Sequence, residues 1–309
     1  MGTKKSMKKI LRIMLMLIGF SGFLWLPAVA AAKWPLPDGI KAIEVNGYDM
    51  AYQEVGSGVP LLLVHGTMAD YRVWSRQGPD FSKAYRTIIV SLRHSYPEKW
   101  NGVGDDFSVA QHASDVAALI NKLNLGKVHL VGHSRGGAVA LTVARVYPDV
   151  IRTLILEDAG GMESLLPDTP ESQRLAANVR AFADSIRAIL EAGDFEKAAR
   201  VFLDTVNGPG AWEKASAEGR QMMLDNIGTF PQSFERPKIG CAEVQKFNFP
   251  VLLLTGERSP RNYGQMITAF RKCKDDIPAP LVIPNGTHNM QRDNPEFFNK
   301  AVLDFLNQH

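Results

Sequence analysis

A Gly-x-Ser-x-Gly pentapeptide at residues 132–136 is the stretch of this sequence best suited to chemistry. It follows a mostly apolar run at 128–131 and precedes small residues with helical spacing. A serine hydroxyl is a weak nucleophile unless a sharp strand-to-helix turn holds it clear of the backbone, beside amide N–H groups and a base. Glycines at positions 132 and 136 keep such a turn uncrowded. The pattern predicts a nucleophilic Ser134, with a merely structural tight turn as the alternative.

The elements around this motif alternate between strand and helix. Asn46-Gly47 predicts a hairpin between strands 40–45 and 48–55. An amphipathic helix is predicted over 109–123 with Ser108 as its N-cap, and His112 in this helix is expected to be partly solvated. Continuous apolar runs predict strands buried on both faces at 60–64, 86–92, 127–131 and 151–156. This order predicts an α/β fold with a mostly parallel central sheet and helices on both faces.

The pattern changes between residues 162 and 236. Three helical stretches, 171–192, 194–205 and 211–227, follow one another without a strand, and strands resume at 249–255 and 281–283. A helical block inside an alternating sheet predicts a helical lid inserted between two late strands, flanked by core segments 33–161 and 237–309. Trp212, Met222 and Phe230 are candidates for substrate contact, and packing of the lid onto the core is the alternative for each.

The first 32 residues are expected to be a secretory signal. Five basic residues up to Arg12 precede an uncharged run from Ile13 to Leu26, and small residues follow as far as Ala32. Fourteen residues are short for a membrane span, so a retained anchor is the alternative reading. We expect cleavage after Ala30 or Ala32, export to a periplasm or the cell exterior, and no membrane association afterwards.

Composition limits the partners. The five signal charges are all positive, so the net charge of +3 becomes about −2 for the remaining chain, and nothing there indicates a nucleic-acid surface. The two cysteines, Cys241 and Cys273, flank one predicted strand and either pair or stay as thiols. No spacing of Cys and His predicts a metal site, and no cofactor is indicated.

Taken together, these features resemble the α/β-hydrolase superfamily, in particular its lid-bearing esterase, dehalogenase and epoxide-hydrolase branch. The matching motifs are His65-Gly66, the segment 132–137, the lid insertion, Gly256-Glu257 and Gly286-Thr287-His288. They cover nearly all of the chain after the signal, and they are specific for fold and nucleophile but not for substrate.

The resemblance implies roles for individual residues. Ser134 is the expected nucleophile, and His288, in the loop after the last strand, is the general base that takes its proton and returns it to the leaving group. The backbone N–H groups of Arg135 and of Thr67, or alternatively Met68, would bind the oxyanion. The Arg135 side chain is expected to pair with an acid, to line the pocket or only to pack. His65 is expected to be structural.

The catalytic acid is where the sequence departs from the family. The usual Gly-x-x-Asp position holds Ser259, which cannot carry the charge that stabilises an imidazolium. Asp158, at the end of the preceding strand, is the favoured acid, because a minority of the family places it there. Glu257 and a non-catalytic relative are the alternatives, and Glu157 should point to the opposite side.

The nucleophile restricts the reaction. Epoxide hydrolases and dehalogenases of this fold attack with a carboxylate, whereas serine suits acyl transfer to water through a tetrahedral intermediate. We therefore expect hydrolysis of a carboxylic ester or lactone of a small to medium apolar substrate. Carbon–carbon cleavage of a diketone by the same triad, and a ligand-binding or signalling protein of the same fold, are the alternatives. The oligomeric state is left open.

Overall fold

One eight-stranded sheet organises the chain. The computed structural model describes residues 33–234 and 237–309, so the predicted signal lies outside the described residues. The strands run in the order β1-β2-β4-β3-β5-β6-β7-β8; in chain order they are Ile40–Val45, Tyr48–Val55, Val59–Val64, Tyr85–Val90, Val128–His133, Ile151–Glu157, Val251–Gly256 and Leu281–Ile283. The β1–β2 and β2–β4 pairs are antiparallel and the other five pairs are parallel. The predicted α/β fold with a mostly parallel sheet is confirmed.

Helices cover both faces of this sheet. In chain order, α1 to α11 are Gly78–Phe81, Val109–Lys122, Arg135–Val146, Pro170–Glu191, Phe195–Asn207, Ala211–Lys214, Ala217–Asp225, Cys241–Val244, Arg261–Arg271, Met290–Asp293 and Pro295–Leu306. Alternate residues of β3 serve opposite faces: Leu62 packs in the same cluster as α2, α3 and α9, and Leu61 in the same cluster as α1 and α11. Because both faces are buried, the parallel strands are apolar throughout.

The carboxyl ends of the parallel strands meet at one edge of the sheet. Val64 of β3 is in register with Gly132 of β5, and His133 of β5 with Glu157 of β6. Glu157 pairs in turn with Leu254 of β7. The loops that leave β3, β5, β6, β7 and β8 therefore emerge side by side, where open α/β sheets carry their sites.

Helices α4 to α7 lie between β6 and β7 and have a core of their own. Buried residues of this core include Ile186, Phe202 and Phe230, together with Met68 from the loop after β3. The single helix predicted over 211–227 is wrong: the backbone is extended at Ala215, and Ser216 starts α7 as its N-cap by accepting a hydrogen bond from the Gly219 N–H.

Cys241 and Cys273 form a disulfide, which connects the start of α8 to the turn after α9. The two elements flank β7, so the bond closes over one strand of the sheet. Within residues 33–234 and 237–309, no helix has the combined length and apolarity needed to cross a membrane.

Candidate active site

Ser134 occupies a strained bend between β5 and α3. Its backbone has φ 54° and ψ −121°, a conformation that costs a non-glycine residue about 1–3 kcal/mol and is found mainly at functional sites. A Cβ atom at position 132 would lie 2.5 Å from the carbonyl oxygen of Gly136, and one at position 136 would lie 2.5 Å from that of Val64. Both positions therefore need glycine for close packing, as the motif predicts.

Backbone donors surround this bend. Arg135 is the first residue of α3, where N–H groups have no partner within the helix. Thr67 lines both cavities that contain Ser134, whereas Met68, with a φ of 51°, lines only the smaller one. His65 holds the Thr67 loop: its Nδ1 donates to the Gly66 carbonyl at 2.8 Å, and its Nε2 accepts from the Leu92 N–H at 2.9 Å. Burial lowers the pKa of His65 to about 4, so this imidazole is neutral and acts structurally.

His288 lines the same two cavities as Ser134 and contacts Asp158. The Nδ1 atom of His288 is 3.2 Å from Oδ2 of Asp158, and both side chains are buried. The Asp158 carboxylate also accepts hydrogen bonds from the hydroxyls of Thr255 at 2.8 Å and Ser259 at 2.5 Å. The residue at the family's usual acid position is therefore a donor to the acid that contacts the histidine.

The two other candidate carboxylates lie elsewhere. Glu257 is exposed, and its Oε2 accepts from the Asn285 N–H at 2.7 Å. Glu157 is fully buried, and burial, together with the adjacent charge of Asp158, raises its pKa well above the ordinary range of a glutamate. The backbone of Glu157 serves the site, because its carbonyl accepts from the Ser134 N–H at 3.0 Å.

Two contacts of His288 have no signal in the sequence. The ring of Tyr263 stacks on the imidazole with centroids 4.6 Å apart, and its hydroxyl lies 3.4 Å from Nε2. The Nε2 atom of His133 donates to the His288 carbonyl at 2.9 Å, which fixes the loop from the other side. Both contacts hold the imidazole in place, and neither follows from the spacing of the residues.

The side chain of Arg135 points toward α2. Its guanidinium donates to Nδ1 of His112 at 2.7 Å and to the Phe107 carbonyl at 3.0 Å. His112 is fully buried, so the expectation of partial solvation is wrong. Burial and the adjacent Arg135 charge lower the pKa of His112 well below its usual value, so it accepts this hydrogen bond as a neutral ring.

Two cavities open on Ser134 and His288. The larger, of about 800 Å³, is lined by the apolar or aromatic side chains of Leu166, Val179, Phe182, Phe202, Phe234, Tyr263 and Met266, among others. The smaller, of about 350 Å³, is lined by Met68, Val73, Met222 and Arg292, among others. The inserted helices contribute to both, so this segment covers the serine.

The structure corrects two of the predicted substrate contacts. Trp212 and Phe230 line neither cavity, because both are buried in the core of the inserted helices. Phe230 packs there edge-on against Phe202 and Phe234. Met222 does line the smaller cavity. No cluster of three or more potential metal ligands occurs in the part of the chain that the structure describes.

A mostly parallel sheet with a serine at the bend from a central strand into a helix is typical of α/β hydrolases. Residues 59–295 match the family model for the alpha/beta hydrolase fold, and the chain belongs to this family. Epoxide hydrolase 3 of Xenopus tropicalis is 27% identical over 264 residues, covering 80% of this chain and 71% of that protein. The 2-(acetamidomethylene)succinate hydrolase of Mesorhizobium japonicum is 24% identical over 269 residues, covering 86% and 94%.

Solved structures of other hydrolases have the same fold as this chain. A thermophilic esterase from Thermogutta terrifontis superposes with a TM-score of 0.65 at 26% identity, over 87% of this chain and 97% of that one. Epoxide hydrolase CorEH has a TM-score of 0.70 at 21% identity, over 87% and 98%, and shows the fold alone. The chain is a hydrolase of the α/β-hydrolase fold.

Proposed function

We propose that this protein hydrolyses a carboxylic ester or lactone through an acyl-enzyme on Ser134. The observation that carries the proposal is the strained bend that holds Ser134 in the same cavities as His288, whose Nδ1 lies beside the buried Asp158. An imidazole whose Nδ1 is fixed by a carboxylate has its Nε2 free to take a proton from a serine hydroxyl.

Each step of acyl transfer has a candidate group. Ser134 attacks the carbonyl carbon while His288 takes its proton, and the N–H groups of Arg135 and Thr67 receive the oxyanion. His288 then protonates the departing alkoxide. Water, deprotonated by the same imidazole, then attacks the acyl carbon. The bond to Ser134 Oγ breaks, the imidazolium returns its proton to that oxygen, and the carboxylic acid leaves. Asp158 stabilises the imidazolium at both stages. The N–H group of Met68 is the alternative to that of Thr67 as the second oxyanion donor.

The nucleophile argues against epoxide hydrolysis in spite of the likeness to Epoxide hydrolase 3. In epoxide hydrolases of this fold, an enzyme carboxylate attacks the epoxide carbon and forms an alkyl ester with the enzyme. Position 134 carries a hydroxyl instead. When a serine oxygen attacks an acyl carbon, the product is an acyl-enzyme ester, which water can hydrolyse. Serine is therefore suited to acyl substrates.

The cavities indicate the size of the substrate. About 800 Å³ on one side of Ser134 and about 350 Å³ on the other leave room for a small to medium substrate with its scissile bond between them. The lining of the larger space by Leu166, Phe182 and Phe202 favours an apolar portion there.

The test is hydrolysis of p-nitrophenyl esters with acyl chains of two to eight carbons and of five- and six-membered lactones. Wild type should turn over at least one series, and Ser134→Ala should lose about 10⁴-fold or more in kcat. Mass spectrometry should detect an acyl adduct on Ser134 in wild type treated with a slow ester. Equal activity of Ser134→Ala would contradict the proposal. A diketone cleaved without any ester turnover would assign carbon–carbon hydrolysis, and saturable binding without product would assign a ligand-binding role.

We further propose that the protein is exported. The basic and apolar pattern of residues 1–32 supports this, and so does a disulfide, which persists mainly in oxidising compartments. Fractionation of expressing cells, with N-terminal sequencing of the product, tests it. A start at Ala31 or Lys33 is expected, and an uncleaved cytoplasmic product would contradict it.

A further inference from the structure

The two cavities that meet at Ser134 differ in charge. Among the described residues, the larger is lined by three acids, Glu163, Asp168 and Asp184, and three arginines, Arg135, Arg180 and Arg187. The smaller is lined by Arg76, Lys214 and Arg292 against a single acid, Asp293. The smaller cavity therefore has an excess of positive charge beside the nucleophile, and the larger one does not.

Arg292 is the cation of this group that is most removed from solvent. It lies in α10, four residues after His288, and is half-buried. Burial and the nearby charge of Arg76 lower its pKa, and Asp293 and Glu218 offset this only in part. Its guanidinium thus occupies an environment that does not favour a positive charge.

Of the two carboxylates whose charge acts on Arg292, that of Glu218 is exposed to solvent and that of Asp293 is engaged with Thr287. Oδ2 of Asp293 accepts from both the N–H and the hydroxyl of Thr287, at 2.7 Å and 2.5 Å. Among the described residues, no ion pair joins the Arg292 guanidinium to a carboxylate.

Two other arginines in the described part of the chain that lie away from solvent, Arg72 and Arg93, are matched by acids. The Arg72 guanidinium lies 2.6 Å from Asp70 and 2.8 Å from Asp225. That of Arg93 lies 2.8 Å from Asp115, which is fully buried. An arginine placed without such a partner in a cavity that contains a nucleophile is suited to an anionic group of the substrate.

We propose that the substrate carries a carboxylate, which Arg292 binds in the smaller cavity while Arg76 at its rim adds a second positive charge. This inference rests on the proposed acyl transfer at Ser134 and names the substrate class for it. A guanidinium presents its N–H groups in a planar fork that matches the two oxygens of a carboxylate. The Nη1 atom of Arg76 already donates to the Arg292 carbonyl at 3.2 Å, which keeps the two residues adjacent.

Two pairs of esters, alike in shape but different in charge, test this. p-Nitrophenyl butyrate and p-nitrophenyl hemisuccinate differ at the end of the acyl chain, and phenyl acetate and 4-carboxyphenyl acetate differ on the leaving group. The readout is the charged-to-neutral ratio of kcat/KM within each pair, for wild type, Arg292→Gln, Arg76→Gln and the control Arg145→Gln. Arg145 pairs with Glu243 at the surface and lines neither cavity.

Wild type should favour the charged ester of one pair by about 10-fold or more. That pair shows whether the substrate carboxylate lies on the acyl chain or on the leaving group. Arg292→Gln should lower the ratio by about 10- to 100-fold, as for loss of a charge-assisted hydrogen bond. Arg76→Gln should lower it by about 3- to 10-fold, because an exposed charge is screened by solvent. Arg145→Gln should leave the ratio unchanged. A preference for the neutral ester in both pairs, or a ratio unaffected by Arg292→Gln, overturns the proposal.

A binding measurement separates this proposal from the proposed function. Calorimetric titration with glutarate needs no turnover. The Kd for glutarate should be about 10-fold higher for Arg292→Gln than for wild type. Glutarate binding that depends on Arg292, in a protein that hydrolyses no ester, would support the carboxylate site and contradict acyl transfer. Ester hydrolysis by wild type, with glutarate binding equally to wild type and Arg292→Gln, would support acyl transfer and contradict the carboxylate site.

Discussion

Replacing Asp158 by asparagine tests the arrangement of the site most directly. The carboxylate is fully buried and receives hydrogen bonds from Thr255 and Ser259 as well as the contact with His288. Asparagine keeps the shape but loses the charge and turns one acceptor into a donor. If its NH₂ group takes the place of Oδ2, it faces Nδ1 of His288 and forces the proton onto Nε2, which then cannot accept from Ser134.

The expected loss can be worked from the distance. A full charge pair 3.2 Å apart, at an effective dielectric constant of about 20, interacts by about 5 kcal/mol. This energy stabilises the imidazolium only when Ser134 has given up its proton, so its loss raises the barrier and leaves substrate binding alone. Since about 1.4 kcal/mol corresponds to tenfold, we expect kcat to fall by about 10³- to 10⁴-fold with KM little changed.

The assay is the steady-state hydrolysis of a p-nitrophenyl ester that wild type accepts. Asp158→Asn is compared with Glu257→Gln, which changes the exposed alternative acid and should retain activity within about twofold. Thermal melting of each variant checks that it folds. A folded Asp158→Asn within tenfold of wild type, or a large loss in Glu257→Gln instead, would refute the assignment of the acid.

Three further predictions concern Ser259, Glu157 and the disulfide. Ser259→Ala removes a donor to the buried carboxylate and should lower kcat by about 10-fold, measured in the same assay; an unchanged rate would mean that this hydroxyl does not orient the acid. Glu157 has a raised pKa, so the folded protein retains a proton that the unfolded chain loses above about pH 4.3, and stability falls as pH rises. Glu157→Gln should therefore gain stability over wild type by up to about 1.4 kcal/mol per pH unit as the pH rises above about 5, measured by urea titration, whereas a difference independent of pH would contradict this. Replacing Cys241 and Cys273 by serine opens a loop with a sequence separation of 32 and should cost about 2–4 kcal/mol of unfolding free energy; equal denaturation midpoints with and without reductant would count against it.

The fold could be predicted from the sequence because its strands are buried on both faces and therefore apolar throughout. The hairpin strands at 40–45 and 48–55 and the last strand at 281–283 have the predicted bounds. Hydrophobic spacing does not predict the break within 211–227, because the spacing continues through it and the break depends on a local cap at Ser216. The lid boundaries and the signal stay predictions.

The candidate site is predictable only where local sequence fixes geometry. The bend at Ser134 follows from the flanking glycines: Gly132 lies against the start of α3, and Gly136 lies against the end of β3. The stacking of Tyr263 on His288 and the placement of Arg292 depend on how distant elements pack, so no spacing predicts them. The sequence also does not distinguish the core position of Trp212 from a cavity lining, because large apolar side chains occur in both.

Ser259 and Asp158 occupy the two positions at which this family can place its acid, and the structure brings them into contact. The hydroxyl at position 259 lies 2.5 Å from Oδ2 of Asp158, so the two positions converge on one point beside His288. Two carboxylates at that point could not both be ionised, because like charges in a buried site repel. An acid at one position therefore requires a neutral group at the other, and a donor such as serine at 259 also stabilises the charge at 158. Serine in the Gly-x-x-Asp position is therefore compatible with the proposed role of Asp158, which directly follows β6.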